Sequence, residues 1–78
     1  MSRHEFVTDK HRIVVGWDPP LQTYFAQVWR KRSGLHPVLW VGAGPPSLTL
    51  KQLETALKPF CEISVELRAA LEQDEAND

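Results

Sequence analysis

The sequence predicts an α+β fold: a three- or four-stranded antiparallel sheet packed by one main helix, with a short C-terminal helix. Three observations lead there. Residues 3–41 combine β-branched and aromatic side chains with recurrent turn signals, the pattern of short strands. Residues 48–57 hold a chemically complete helix start followed by an apolar stripe at helical spacing. With 78 residues, the chain has room for one hydrophobic core, and a domain this small is marginally stable unless something supports it.

The strands follow as a meander. The first spans residues 3–7, and Thr8, Asp9, Lys10 and His11 turn the chain into a second at 12–17. Asp18, Pro19 and Pro20 then force a bend, because Pro20 bars Pro19 from helical ψ and neither proline donates to a ladder. A third strand is expected at 23–29 and, after a polar loop over 30–36, a fourth at 38–41. The third has a rival. Leu21, Tyr24, Phe25, Val28 and Trp29 also fall at helical spacing, with Asp18 available as a cap and proline in the first turn. The Thr, Tyr, Phe, Val and Trp composition favours the strand.

Thr49 at the N-cap and Gln52 at N3 predict a capping box, with Leu48 and Leu53 placed as a hydrophobic staple. Leu50, Leu53, Ala56, Leu57 and Phe60 share one face, which must dock on the sheet, and Pro59 limits the helix. A second, shorter helix is expected from Ser64 to Leu71. The single domain therefore covers 1–71, and the acidic, apolar-poor stretch 72–78 is expected to fray. No internal repeat is visible.

Composition narrows the function classes. Cys61 is the single cysteine, so an internal disulfide is excluded and the expected setting is a reducing cytoplasm. The first ten residues are charged and lack the apolar segment of a signal peptide. No apolar run approaches the roughly 20 residues of a membrane span, which predicts a soluble protein. A net charge of −1 argues against both a strongly basic nucleic-acid binder and an acidic DNA mimic. The charge is nevertheless unevenly placed: residues 1–36 carry six bases against three acids, and 37–78 carry three bases against seven acids.

Candidate chemical sites are weak. Gly42, Ala43 and Gly44 follow a strand and precede a helix, but Pro45 and Pro46 remove the N–H donors that a phosphate loop needs. A plain strand-to-helix turn is the expectation. His4, His11 and His36 lack metal-ligand spacing, Cys61 has no base placed beside it, and Asp18 reads as a turn-forming aspartate. No catalytic residue, metal or cofactor is expected. Arg30, Lys31 and Arg32 form the one basic run, which with Lys10 and Arg12 could meet phosphate or an acidic partner.

Layer matching is the most informative feature. In extended backbone Ile13, Val15 and Trp17 oppose Val14; Phe25 and Trp29 oppose Tyr24, Ala26 and Val28; Val38 and Trp40 oppose Leu39 and Val41. Both sheet faces are apolar, and one principal helix covers one of them. The other calls for a protein partner or a second copy, unless the second helix and the N-terminal arm wrap round and hide it. The contact residues expected are Trp17, Tyr24 and Trp29 as anchors, with Arg30, Lys31 and Arg32 at the rim.

The stretch VVGWDPPLQTYFA at 14–26, followed by LWVG at 39–42, resembles a group of small bacterial proteins carried on plasmids, phages and other mobile elements. The similarity spans roughly residues 4–70. Small products of such elements often bind and block host defence complexes, as anti-CRISPR proteins do. The resemblance thus implies a stoichiometric inhibitor or adaptor of a host complex, with binding to a CRISPR–Cas effector the leading expectation. The alternative is a small nucleic-acid-binding accessory protein that uses the basic loop Arg30–Arg32. Enzymatic activity is not expected.

Overall fold

Alternating apolar positions carry through into four strands: β1 (His4–Val7), β2 (His11–Asp18), β3 (Thr23–Arg30) and β4 (Leu39–Val41), followed by α1 (Leu50–Leu57) and α2 (Val65–Ala76). The structure is a computed structural model that describes residues 2–32, 36–42, 44 and 46–77. The strands form one antiparallel sheet in the order β1-β2-β3-β4. Each pairs with its neighbour in sequence, as a meander requires.

Residues 23–29 form a strand and not a helix. β3 pairs with β2 on one side, Tyr24 opposite Trp17 and Ala26 opposite Val15, and with β4 on the other, Ala26 opposite Val41. A strand paired on both edges satisfies its backbone groups without an intrasegment ladder, which outweighs the helical spacing of its apolar residues. The bend before it is built as Asp18 suggests. The Leu21 N–H donates to Asp18 Oδ1 (3.4 Å) and the Gln22 N–H to the Pro19 carbonyl (3.1 Å).

Thr49 caps α1 as a capping box. Its hydroxyl accepts from the Gln52 N–H (3.2 Å), and Gln52 Oε1 accepts from the Thr49 N–H (2.9 Å). The helix entry is also pinned to β3, where the Leu48 N–H donates to the hydroxyl of buried Thr23 (2.6 Å). Thr49→Ala, which strips the cap from an exposed position, is expected to cost about 0.5–2 kcal/mol. Urea denaturation reads this directly, and an unchanged midpoint would mean that packing alone fixes the helix start.

Leu50, Leu53, Leu57 and Leu71 join Ile13, Val15, Trp17, Tyr24, Ala26 and Val28 in one buried cluster. Both helices therefore pack on the same side of the sheet, α1 against β3 and α2 against β2.

The expected pairing of one main helix with a short second one is corrected here. α2 has 12 residues against 8 in α1, and it runs on to Ala76 through the stretch expected to fray. Its acidic residues find partners. Arg68 pairs with Glu54 and Glu72, His4 Nε2 donates to Asp74 Oδ2 at 2.7 Å, and the Tyr24 hydroxyl donates to Glu75 Oε1 at 2.8 Å. Charges that look solvating in the sequence hold the last turns of the helix on the sheet.

Candidate functional site

The two helices cover the face that carries Ile13, Val15, Trp17, Tyr24, Ala26 and Val28. Side chains alternate along a strand, so the opposite face carries Glu5, Val7, Arg12, Val14, Gly16, Phe25, Gln27, Trp29 and Trp40. Strand register sets them in rows: Val7, Arg12 and Trp29; then Glu5, Val14, Gln27 and Trp40; then Gly16 beside Phe25. Among the described elements none packs on this face.

Its centre is not bare. Val14 is fully buried and Phe25 nearly so. Gly16 makes room for the Ser2 carbonyl oxygen, which a Cβ there would overlap, and for the Phe25 ring, whose carbons it would approach within 2.8 Å. The Arg12 guanidinium lies 5.3 Å from the centroid of the Trp29 ring, and its Nη1 donates to Glu5 Oε1 (3.3 Å). On a wet surface the cation–π contact contributes about 0.5–1 kcal/mol and the ion pair about 0–1 kcal/mol. At the margins the apolar surface breaks through, for Trp40 on β4 and Val7 on β1 are each 58% exposed. Val38, just before β4, is also exposed. Trp29 is half-buried.

The row of Val7, Arg12 and Trp29 borders the end of the sheet where the basic residues gather. The Lys31 N–H donates to the Lys10 carbonyl (3.2 Å), which brings the β1–β2 turn alongside the chain leaving β3. Asp9, Lys10, His11, Arg30, Lys31 and Arg32 line an open cleft of about 540 Å³ there. Among the described residues, none of these four cations is in a salt bridge.

Of the residues expected to form the contact surface, Trp29, Arg30, Lys31 and Arg32 lie together on or beside the open face. Trp17 and Tyr24 do not. They are 5% and 2% exposed and stack edge-to-face in the core, with ring centroids 4.9 Å apart. Their strand positions turn them toward the helices. Burial, and then the hydrogen bond and charge of Glu75, raise the Tyr24 hydroxyl well above the usual tyrosine pKa, so it stays a neutral donor that ties β3 to α2. Trp40, the most exposed aromatic of the open face, was not among the expected anchors. The alternation of residues 38–41 places it opposite Leu39 and Val41, but nothing local reveals which side the helices take.

The titratable side chains mostly serve the fold. Burial tends to raise the Asp74 carboxyl pKa, but hydrogen bonds from His4 and Ser2 and the His4 charge outweigh it, and the carboxyl lies below its ordinary range. His11 meets the Phe60 ring edge-on at 5.2 Å, and His36 is exposed. Cys61 is half-buried against the core, and burial raises its thiol pKa. Among the described residues no three His, Cys, Asp or Glu side chains group in a way that could hold a metal ion. The expected glycine turn lies partly outside the described residues, which omit Ala43 and Pro45.

No protein-family model matches the chain, and neither a curated protein nor a solved structure does. Among the described residues no helix is long and apolar enough to cross a membrane.

Proposed function

We propose that the chain is a non-enzymatic protein-binding module whose partner docks on the open face of the sheet. One observation carries the proposal. Both helices pack on one side, and Trp40 and Val7 remain 58% exposed on the other. Tryptophan is among the side-chain types that most often anchor a protein interface. The partner matched to this face has an apolar centre and an acidic rim, because Lys10, Arg30, Lys31 and Arg32, none of them in a salt bridge among the described residues, border it. A stoichiometric inhibitor or adaptor from a mobile element would act through such a surface. The resemblance noted above makes a CRISPR–Cas effector subunit the first partner to test.

The experiment compares capture from a lysate of the source organism by three immobilised forms: wild type, Trp40→Glu and Leu21→Glu. Leu21 is also exposed but lies in the β2–β3 turn. The expected result is one discrete protein held by wild type and Leu21→Glu and lost with Trp40→Glu, with affinity reduced at least ~10-fold, as for an interface anchor. Equal capture by all three overturns the assignment to this face. Binding of single-stranded oligonucleotides that falls steeply with salt would instead support nucleic-acid recognition by the same aromatics and cations. A dimer dispersed by Trp40→Glu would make a second copy the occupant.

A further inference from the structure

A second surface, independent of the open face, lies along β1. This strand ends the sheet on its side. The Ser2 N–H donates to the Trp17 carbonyl (3.0 Å) and the Thr8 N–H to the His11 carbonyl (2.8 Å), with His4–Val7 in register with β2 between them. In an antiparallel pair, hydrogen-bonded and non-hydrogen-bonded residues alternate. The N–H groups of residues 2, 4, 6 and 8 therefore point toward β2, with the Trp17 and His11 N–H groups donating to the Ser2 and Thr8 hydroxyls, and Glu5 and Val7 turn their backbone groups away from the sheet. A free edge of this kind is a template for another strand, which proteins blunt with shortness, charge, proline or a bulge. His4–Val7 is short and carries Glu5, but it has neither proline, lysine nor a bulge.

Beside the edge, on the helix side, runs an open groove of about 470 Å³ between β1 and α2. Phe6, Leu67 and Ala70 line it with half-buried apolar surface, and exposed Glu62 and Glu66 stand over it. Among the described residues neither carboxylate is in a salt bridge. A strand laid along β1 would send every second side chain into this groove. An apolar side chain there meets Phe6, Leu67 and Ala70, and a lysine or arginine beside it reaches Glu62 or Glu66.

We infer that the β1 edge accepts an extended basic and apolar segment of a partner protein by strand addition, the mode in which backbone bonds hold the segment and alternate pockets select it. Charge decides against a second copy. Pairing β1 with itself would bring together two α2 helices that each carry Glu66, Glu72, Asp74 and Glu75 against the single cation Arg68.

The test uses the peptide Thr-Lys-Thr-Val-Thr-Lys-Thr, N-acetylated, and its analogue with glutamate in place of lysine. Amide exchange by NMR gives the sharpest readout. In the free chain the Glu5 and Val7 amides should exchange quickly and the Phe6 amide slowly. Saturating lysine peptide should slow Glu5 and Val7 at least ~10-fold and leave Phe6 unchanged. Glu5→Pro removes an outward N–H, which edge strands tolerate, together with exposed ion pairs to Arg3 and Arg12 that contribute little to stability, so it should keep the fold and abolish binding. The pair Glu62→Lys and Glu66→Lys should weaken the lysine peptide at least ~10-fold and admit the glutamate one. The inference is overturned by the absence of saturable binding to wild type, by equal binding of the two peptides, or by binding that survives Glu5→Pro. A dimer dispersed by Glu5→Pro would overturn the choice of occupant. Because Trp40→Glu leaves this edge intact, the edge and the open face succeed or fail separately.

Discussion

Leu53→Ala is expected to lower stability by about 2–5 kcal/mol, the usual cost of emptying a leucine site in a packed core. Leu53 is fully buried, and its N–H donates the first helical bond, to the Thr49 carbonyl at 3.0 Å. It sits in the one cluster where the sheet and both helices meet, so the cavity left by truncation opens against all three. In a chain this short each kcal/mol shifts Tm by roughly 4–8 °C, and thermal denaturation should show a fall of roughly 8–40 °C. The contrast with Thr49→Ala is part of the expectation, for the cap serves one helix end and the leucine serves the whole core. A loss below about 1 kcal/mol would mean that α1 is loosely held and that the cluster closes without it.

Gly42→Ala should be comparably damaging for a different reason. Gly42 has φ +78°, a region costly for residues with a side chain, and strain of this kind is about 1–3 kcal/mol. Space is also lacking, since a Cβ would overlap the Tyr24 carbonyl oxygen and come within 2.7 Å of Phe25 Cα. Backbone cannot step aside as a flexible side chain does, so β4 must separate from β3 at that point. The expected result is a stability loss of about 3 kcal/mol or more, with loss of amide protection across the β3–β4 pair. Gly44, around which there is open space, is the control, and Gly44→Ala should be close to neutral. Equal, small effects at both positions would show that the Gly42 conformation relaxes freely.

Much of this architecture is legible in local chemistry. Alternation places Ile13, Val15 and Trp17 on one face, and the Thr49 and Gln52 spacing announces a helix start whose two hydrogen bonds are both present. What local chemistry does not carry is the side of the sheet on which the helices settle. Trp17 and Trp29 are equally good anchors until that choice is made. It is also silent on partners far away in sequence. Asp74 and Glu75 read as a solvated tail because the groups that hold them, His4 and Tyr24, lie 70 and 51 positions earlier. Trp40 illustrates the same limit from the other side, for its exposure depends on β4 being an edge strand of three residues.

The separation of sheet and helices into two layers also changes what a net charge of −1 means. The surplus of bases lies in the segments that flank and join the first three strands, with Arg3, Lys10, Lys31 and Arg32 against Asp9, and the surplus of acids lies chiefly in α2. At physiological ionic strength a charge is felt over about 8 Å, whereas even the shortest dimension of the molecule is 19 Å. An approaching body therefore senses one layer at a time. To a neighbour near the basic end of the sheet this is a cation, and to a neighbour near α2 it is an anion. Its isoelectric point predicts neither encounter.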